Sequence, residues 1–324
     1  MNDTTIAFAS CMDADADPIQ NVWDRIRAQK PNVLVLLGDS VYMDFSFGFL
    51  GSPKPRGKPY RMSPEDFAAA LYACYRKQWQ VKSFRRLIGE VSQIAMTWDD
   101  HDFAWNNSRG RDQSDCKEAV PKAKRLISRG LFMQFKHCLQ TKNSGGSDYP
   151  PPPDLAELLA GEDQGIQTVL DVENVRIVTL DGRTFREAPS RLTAWMHGEA
   201  QLEWMSQQFD QWQSHKIIAS GSTLKLGGES WHDYRDYQWM LARAPQNAIV
   251  LTGDIHRNVG PLAHGDPDRF WEVVSSGAAR PGVGGFLNIG GGSGRFGILK
   301  CGEHAEVRLH ETTTEDGCPF RRIY

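Results

Sequence analysis

Short uncharged apolar runs recur along the chain, and several stop abruptly at a glycine or an acid. Residues 33–37 read VLVLL and run into Gly38 and Asp39; residues 248–252 read AIVLT and run into Gly253 and Asp254. Runs of this length bounded by turn residues predict strands buried on both faces. Residues 4–10 and 92–98 predict two more strands, the second running straight into Asp99-Asp100-His101-Asp102. Residues 167–170 and 175–180 alternate around Glu173-Asn174 and predict a hairpin. Further strands are predicted at 216–220 and 271–276, with a terminal hairpin at 296–301 and 305–311.

A second rhythm predicts helices. Ile19, Val22, Trp23 and Ile26 recur at three- and four-residue spacing within 18–27. Ser63-Pro64-Glu65-Asp66 is a helix start: a serine cap, proline at the first position and acids in the first turn. The helix behind it carries Phe67, Ala70, Leu71, Cys74 and Tyr75 on one face, which suits a core better than a cofactor site. Residues 114–139 predict a helix interrupted near its start by Pro121, and 231–241 an aromatic-rich one. Residues 198–212 predict an amphipathic helix with Leu202, Met205, Phe209 and Trp212 inward. Strand, helix, strand at the start of the chain is a βαβ unit and places the protein in the α/β class. Residues 45–60, rich in Gly, Pro and Lys, predict a loop. Residues 141–165, with Pro150 to Pro153 in a row, predict a surface insertion loop, and 281–297 a Gly-rich loop. Residues 1–324 show no internal repeat and read as a single domain.

Composition changes this picture mainly by exclusion. The 324 residues are 40% apolar and 24% charged, with a net charge of −3, enough for a large core. Near-neutrality leaves no electrostatic footprint for nucleic acid or an anionic membrane. No apolar run reaches 18 residues, so no membrane-spanning helix is predicted. The N-terminal segment MNDTTIAFAS lacks a basic region and a signal-type apolar core. The expectation is a cytoplasmic protein as the chain stands, or a periplasmic or secreted one if a leader was removed. The six cysteines show no C-x-x-C pairing, so neither a zinc ribbon nor a redox motif is indicated. Most read as small buried hydrophobes; Cys11 has a stronger claim.

That claim comes from position. Cys11 lies just past the first predicted strand, with Asp13, Asp15 and Asp17 beyond it, which also read as a solvated turn. Asp39 and Tyr42 follow the second strand. The Asp99-Asp100-His101-Asp102 cluster follows another; its acids are costly to bury while charged unless a cation neutralises them. Asn106 and Asn107 offer neutral oxygen ligands or a turn. Asp254 and His256, two apart in an extended segment, point the same way. Open α/β sheets hold their ligands beyond the carboxyl ends of the strands, where these side chains fall. Arg183 and Arg186 leave another strand end, and an arginine fork suits phosphate; for Arg186 a surface salt bridge fits at least as well. The glycines after residue 276 lack the G-x-x-x-x-G-K-[ST] order, so they read as turns and backbone N–H groups rather than a nucleotide loop.

The segments SCMD, GDSVY, WDDHDFAWNN, LDGRTFR, HGEAQLEWM, SWHDYRDY and LTGDIHRN occur in this order over roughly residues 5–280. They resemble the PhoD-type alkaline phosphatases of the calcineurin-like metallophosphoesterase superfamily, and GDSVY, WDDHD and GDIH at these spacings carry most of the specificity. The resemblance implies a four-layer α-β-β-α sandwich of two mixed sheets, with a dinuclear metal site at the strand ends. It implies that Asp39 bridges two metals and that Cys11, Tyr42 and His256 complete a ferric site. Asp254 and Asp100 would bind the second ion, Ca2+, with Asn106 as an additional ligand. His101 would be the general acid and Arg183 a phosphate clamp. Fe3+ and Ca2+ are the expected pair, with Zn2+, Mn2+ or Mg2+ as alternatives.

The implied activity is hydrolysis of a small-molecule phosphate ester, monoester or diester, by a metal-bound hydroxide. A phospholipase D-type phosphodiesterase and an inactive protein that tethers a phosphorylated partner are the competing readings; intact His101 and Arg183 weigh against the second. Many members of the family carry a secretion signal and a β-rich leading domain, whereas here the first ligand stands at position 11. Residues 141–163 and the chain after Pro281 have no counterpart in the family pattern.

Overall fold

The computed structural model describes residues 3–47, 53–111, 116–142, 148–209, 214–266, 268–280, 294–311 and 319–324. The apolar runs form the strands they predict. β1 (Thr4–Ala9), β2 (Val33–Leu37) and β5 (Gln93–Thr97) lie parallel and adjacent in one sheet. β12 (Phe296–Cys301), β13 (Ala305–His310) and β14 (Arg321–Arg322) extend that sheet antiparallel from β1. The second sheet pairs β7 (Val175–Thr179), β8 (His215–Ser220), β9 (Ala248–Thr252) and β11 (Phe270–Val274) in parallel. Antiparallel β6 (Thr168–Val172) and β10 (Val259–His264) close its two edges. Among the described residues each sheet therefore has six strands and is mixed, ordered β14-β13-β12-β1-β2-β5 and β10-β11-β9-β8-β7-β6.

The period of two along each strand sorts the side chains into layers. Val33, Val35 and Leu37 of β2 join Ile177, Ile217, Ile249 and Leu251 of the second sheet in one apolar layer between the sheets. Leu34 and Leu36 turn the other way, into a layer with helix residues Trp23, Phe84, Phe132 and Phe135. The outer helices on that side include α1 (Val22–Ala28), α2 (Pro64–Trp79), α3 (Lys82–Glu90) and α5 (Lys122–Thr141). On the far face, α7 (Glu199–Phe209) and α8 (Arg235–Arg243) bury Leu202, Met205, Tyr237 and Met240 against Val178, Ile218 and Val250. The result is helix, sheet, sheet, helix. Full burial of each such side chain contributes on the order of 1.5–3 kcal/mol. The parallel strands are almost entirely buried on both faces, so the edge where they end is where polar chemistry can sit. Among the described residues no helix is long and apolar enough to cross a membrane.

Several elements differ from the sequence expectation. The 45–60 loop contains a two-stranded ribbon, β3 (Phe45–Phe47) with β4 (Pro53–Pro55). Pro121 does not interrupt a helix but caps the start of α5; its missing N–H costs nothing there, and its fixed φ leads into the first turn. The strand β10 was not expected, because Gly260-Pro261 breaks the alternation; an edge strand tolerates a proline without a donor. The Asp-Asp-His-Asp run, to which the sequence pattern assigns no element, forms one helical turn, α4 (Asp100–Phe103), capped by Asp99. Within 141–165, Tyr149 and Leu158 are buried in the first helical layer and α6 (Leu155–Leu159) forms beside α5, while 143–147 lie outside the described residues. Of 281–297, residues 281–293 lie outside the described residues and 296–297 open β12.

Candidate metal centre and active site

Strand ends from both sheets meet at one rim. β1 runs into Ser10 and Cys11, β2 into Gly38 and Asp39, β5 into Asp99 and α4, and β9 into Gly253 and Asp254. The backbone there is tightly wound. Cys11, Asp39, Asp254 and His256 all take left-handed φ values, 61°, 53°, 71° and 52°. Such values are uncommon outside glycine and cluster where function demands them. At Asp39 and Asp254 the turn follows a glycine whose site has no room for a side chain. A Cβ on Gly38 would lie 2.7 Å from Asp99 Cβ, and one on Gly253 would lie 2.5 Å from Ser10 Oγ.

The side chains converge accordingly. The Cys11 thiol donates to Asp39 Oδ2 at 3.4 Å, and the Tyr42 hydroxyl donates to the same oxygen at 2.9 Å. One donor atom each from Cys11, Asp39 and His256 lies within 4.8 Å of the others, and the same is true of Asp39, Asp100 and His101. Asp39 belongs to both groups. Cys11, Asp39, Tyr42, Asp100 and His101 are all buried.

Burial, then the Asp39 charge, pushes the Cys11 thiol and the Tyr42 phenol well up. Burial likewise raises Asp39, reinforced by Asp100, Asp99 and Asp102 against the opposing pull of His101. Asp254 is pushed up to about 7 by burial, then by Asp99 and Asp100. His256 is pushed down to about 3 by burial and then by the Arg280 charge. Carboxylates, a thiol and a phenol thus oppose one another's ionisation, while the histidine opposite them is held neutral. Buried anions of this kind need a cation among them. The donor set of thiolate, phenolate, imidazole and carboxylate fits metal ions.

The other expected residues are placed as follows. His101 donates through Nδ1 to Asp44 Oδ1, 2.9 Å away, with its ring 4.2 Å from that of Tyr42. Burial opposes its charge, but Asp44, Asp100 and Asp39 together push it up to about 10. Asp254 lies outside both donor groups; its peptide carbonyl is 3.7 Å from Cys11 Sγ. Asn106 is exposed, and its peptide N–H donates to Asp44 Oδ2 at 2.9 Å. Arg183 is not an open fork. Its Nε and Nη2 lie 2.7 and 2.6 Å from Asp99 Oδ1, its Nη1 donates to the Ser108 carbonyl, and only Nη2 approaches Asp100, at 3.9 Å. Arg186 corrects the surface reading: it is fully buried, donating to Ser222 Oγ at 2.6 Å and paired with Glu229.

Three partners escaped the sequence reading. Asp44 sits just beyond Tyr42 and orients His101. Ser276 Oγ donates to Cys11 Sγ at 3.2 Å and accepts the His256 N–H at 2.9 Å. The Arg280 guanidinium stacks on Tyr42. The last two follow β11: Ser276 ends the predicted strand 271–276, and Arg280 lies in the run after it that reads as glycine-rich turns. The usable signal was that β11 is one more parallel strand ending at the same rim.

The sequence profile of the PhoD-like phosphatases matches residues 6–293. The chain belongs to that family. Among solved structures, this PhoD-like phosphatase is similar to one described as "Structure of PhoD", at 16% identity and TM-score 0.64, covering 99% of this chain and 69% of the other. It is also similar to a dimetal phosphatase from Danio rerio, at 14% identity and TM-score 0.51, covering 95% and 96%. At those identities the likeness is one of fold, and it agrees with the two mixed sheets and outer helices seen here. Curated protein sequences give no match. The PhoD-like phosphatase is thus a hydrolase of phosphate esters, with its metal-fitting donors gathered at the rim between the sheets.

Proposed function

We propose that this PhoD-like phosphatase hydrolyses small phosphate esters, monoesters or diesters, at a dinuclear metal centre bridged by Asp39. The observation that carries the reading is that Asp39 belongs to both groups of convergent donors. Cys11, Tyr42 and His256 would hold one ion; thiolate and phenolate are strong anionic donors suited to Fe3+. Asp100 and Asp254, with Asn106, would hold the other; carboxylate and amide oxygens suit Ca2+. Zn2+, Mn2+ and Mg2+ are the alternatives that metal analysis distinguishes. Bound there, two cations supply Lewis acidity and lower the pKa of a water.

The protein's own groups supply the rest. His101, kept protonated by Asp44, is placed to give a proton to the leaving oxygen. Arg183 has its fork on Asp99, so it acts on the phosphate by charge from beside Asp100 rather than by a two-point grip. Asp99, in turn, has its Oδ1 taken up by the Arg183 guanidinium. The test is Asp39→Asn. Purified without chelator, it should lose both metals and at least ~10^3-fold in turnover of p-nitrophenyl phosphate and of its bis-ester, a loss of ~4 kcal/mol of barrier lowering. Full activity in that variant sinks the assignment. The ratio of the two substrates in the wild type gives the monoester or diester preference.

A further inference from the structure

Beside the proposed metal centre lies a second cluster of charge that the chemistry above does not use. Arg109 Nη1 lies 2.6 Å from Glu229 Oε1, and Arg186 Nη1 lies 3.3 Å from Glu229 Oε2, so one carboxylate is held between two guanidinium groups. The arginines are nearly inaccessible, with 8% and 0% of their side chains exposed, whereas Glu229 keeps 18%. Ser222 joins this cluster to the metal rim. Its hydroxyl accepts from Arg186 at 2.6 Å and from Arg183 at 3.4 Å, and donates to Asp99 Oδ1 at 3.3 Å.

The loop that brings Glu229 in touches the metal side directly. A Cβ on Gly227 would lie 2.9 Å from Ile255 Cγ2 and 3.8 Å from Asp254 Oδ2. Gly228 has nothing within 4 Å of its Cβ position, and Glu229 itself has a φ of 54°. The carboxylate is thus carried on a glycine-flanked, outward-facing turn, while its two partners are fixed in the body of the protein. Two buried guanidinium groups without an anion are strongly disfavoured. Arg109 has a further, longer contact with Glu118 at 3.7 Å, but Glu229 is the carboxylate that lies between the two guanidinium groups, and the anion in that place need not be the protein's own.

We propose that the Arg109–Arg186 pair is a binding site for a second anionic group on the substrate, and that Glu229 is a built-in occupant which that group displaces. The proposal rests on the metallophosphatase reading and narrows its substrate class to phosphate esters carrying a further carboxylate or phosphate. Exchange of one anion for another leaves the buried charges balanced, and Glu229 swings on Gly227-Gly228 into water. An internal competitor lowers apparent affinity by the fraction of time it occupies the site, so neutralising it should tighten anionic ligands alone.

Calorimetry on the metal-loaded protein tests this with ω-carboxyalkyl phosphonates of two to four carbons, each against the alkyl phosphonate of equal length. The wild type should favour the carboxylated member at one length. Glu229→Gln keeps the shape, removes the charge, and should raise that preference about ten-fold. Arg109→Gln should erase it, with thermal melting to verify that each variant is folded. Propane-1,3-bisphosphonate in a parallel arm tells whether the second group is carboxylate or phosphate. A preference equal in all three proteins overturns the proposal. Hydrolysis of p-nitrophenyl phosphate is measured separately: turnover without the preference defeats this inference alone, and the preference without turnover defeats the metallophosphatase reading while leaving the anion site standing.

Discussion

The guanidinium carbon of Arg280 lies 3.4 Å from the centre of the Tyr42 ring, and the same side chain donates to Asp13 Oδ2 at 2.7 Å. A positive charge over an aromatic face draws on its electrons. On a metal-bound phenolate it weakens the ligand as a donor. With iron in the Cys11–Tyr42 site, Arg280→Met should therefore move the phenolate-to-iron absorption band to longer wavelength and lower the reduction potential. Asp13 keeps Arg56 at 2.9 Å, so the surrounding structure should hold. Visible spectroscopy and a redox titration read the change; an unshifted band and potential would mean that the stacked arginine is structural only.

Asp44 supports His101 through a 2.9 Å contact with Nδ1. The resulting shift of His101, up to about 10, has a definite sign. A histidine raised on folding contributes stability that is complete below its unfolded pKa near 6.5 and is lost as pH rises through the folded value. A general acid likewise works only while protonated. Asp44→Asn should bring the alkaline limb of kcat down by roughly one to two pH units and reduce kcat by about 10- to 100-fold. Metal content should stay that of the wild type. A pH–rate profile that does not move would remove Asp44 from this role.

Lys136 on α5 offers a test of stability far from the chemistry. Its side chain is buried, Nζ donates to Thr168 Oγ1 at 3.0 Å, and burial pushes it down to about 8. Between that value and the unfolded 10.5 the unfolded chain holds one more proton, so stability rises with pH across this window. Below about pH 8 the penalty for the buried charge is present in full. Lys136→Met should stabilise the fold at pH 7 by about 2 kcal/mol and flatten the rise toward pH 10.5. Urea unfolding at the two pH values measures both effects.

Most of the frame was readable before any coordinates, for a local reason. Strands such as 33–37 and 248–252 are fully apolar because both their faces are covered, and the residues that stop them are the ones left at the rim. Cys11, Asp39, Asp100 and Asp254 could be picked out because polarity appears there suddenly. The positions of their partners were not legible. Whether Arg183 grips substrate or Asp99 depends on a contact across 84 residues, and no periodicity records it. Arg186 looked like a surface charge because its burial depends on Ser222 and Glu229, which reach it from a distant loop. The strand β10 was hidden by a proline that only an edge position permits.

The left-handed turns at Cys11, Asp39, Asp254 and His256 carry one more consequence. Glycine would relax each of them, and a directed-evolution screen for heat tolerance alone would drift toward it at all four. Every such step would delete one of the proposed metal donors. The rim is therefore a place where durability and chemistry compete for the same residues, and any hardened version of this enzyme has to find its gains elsewhere in the sandwich.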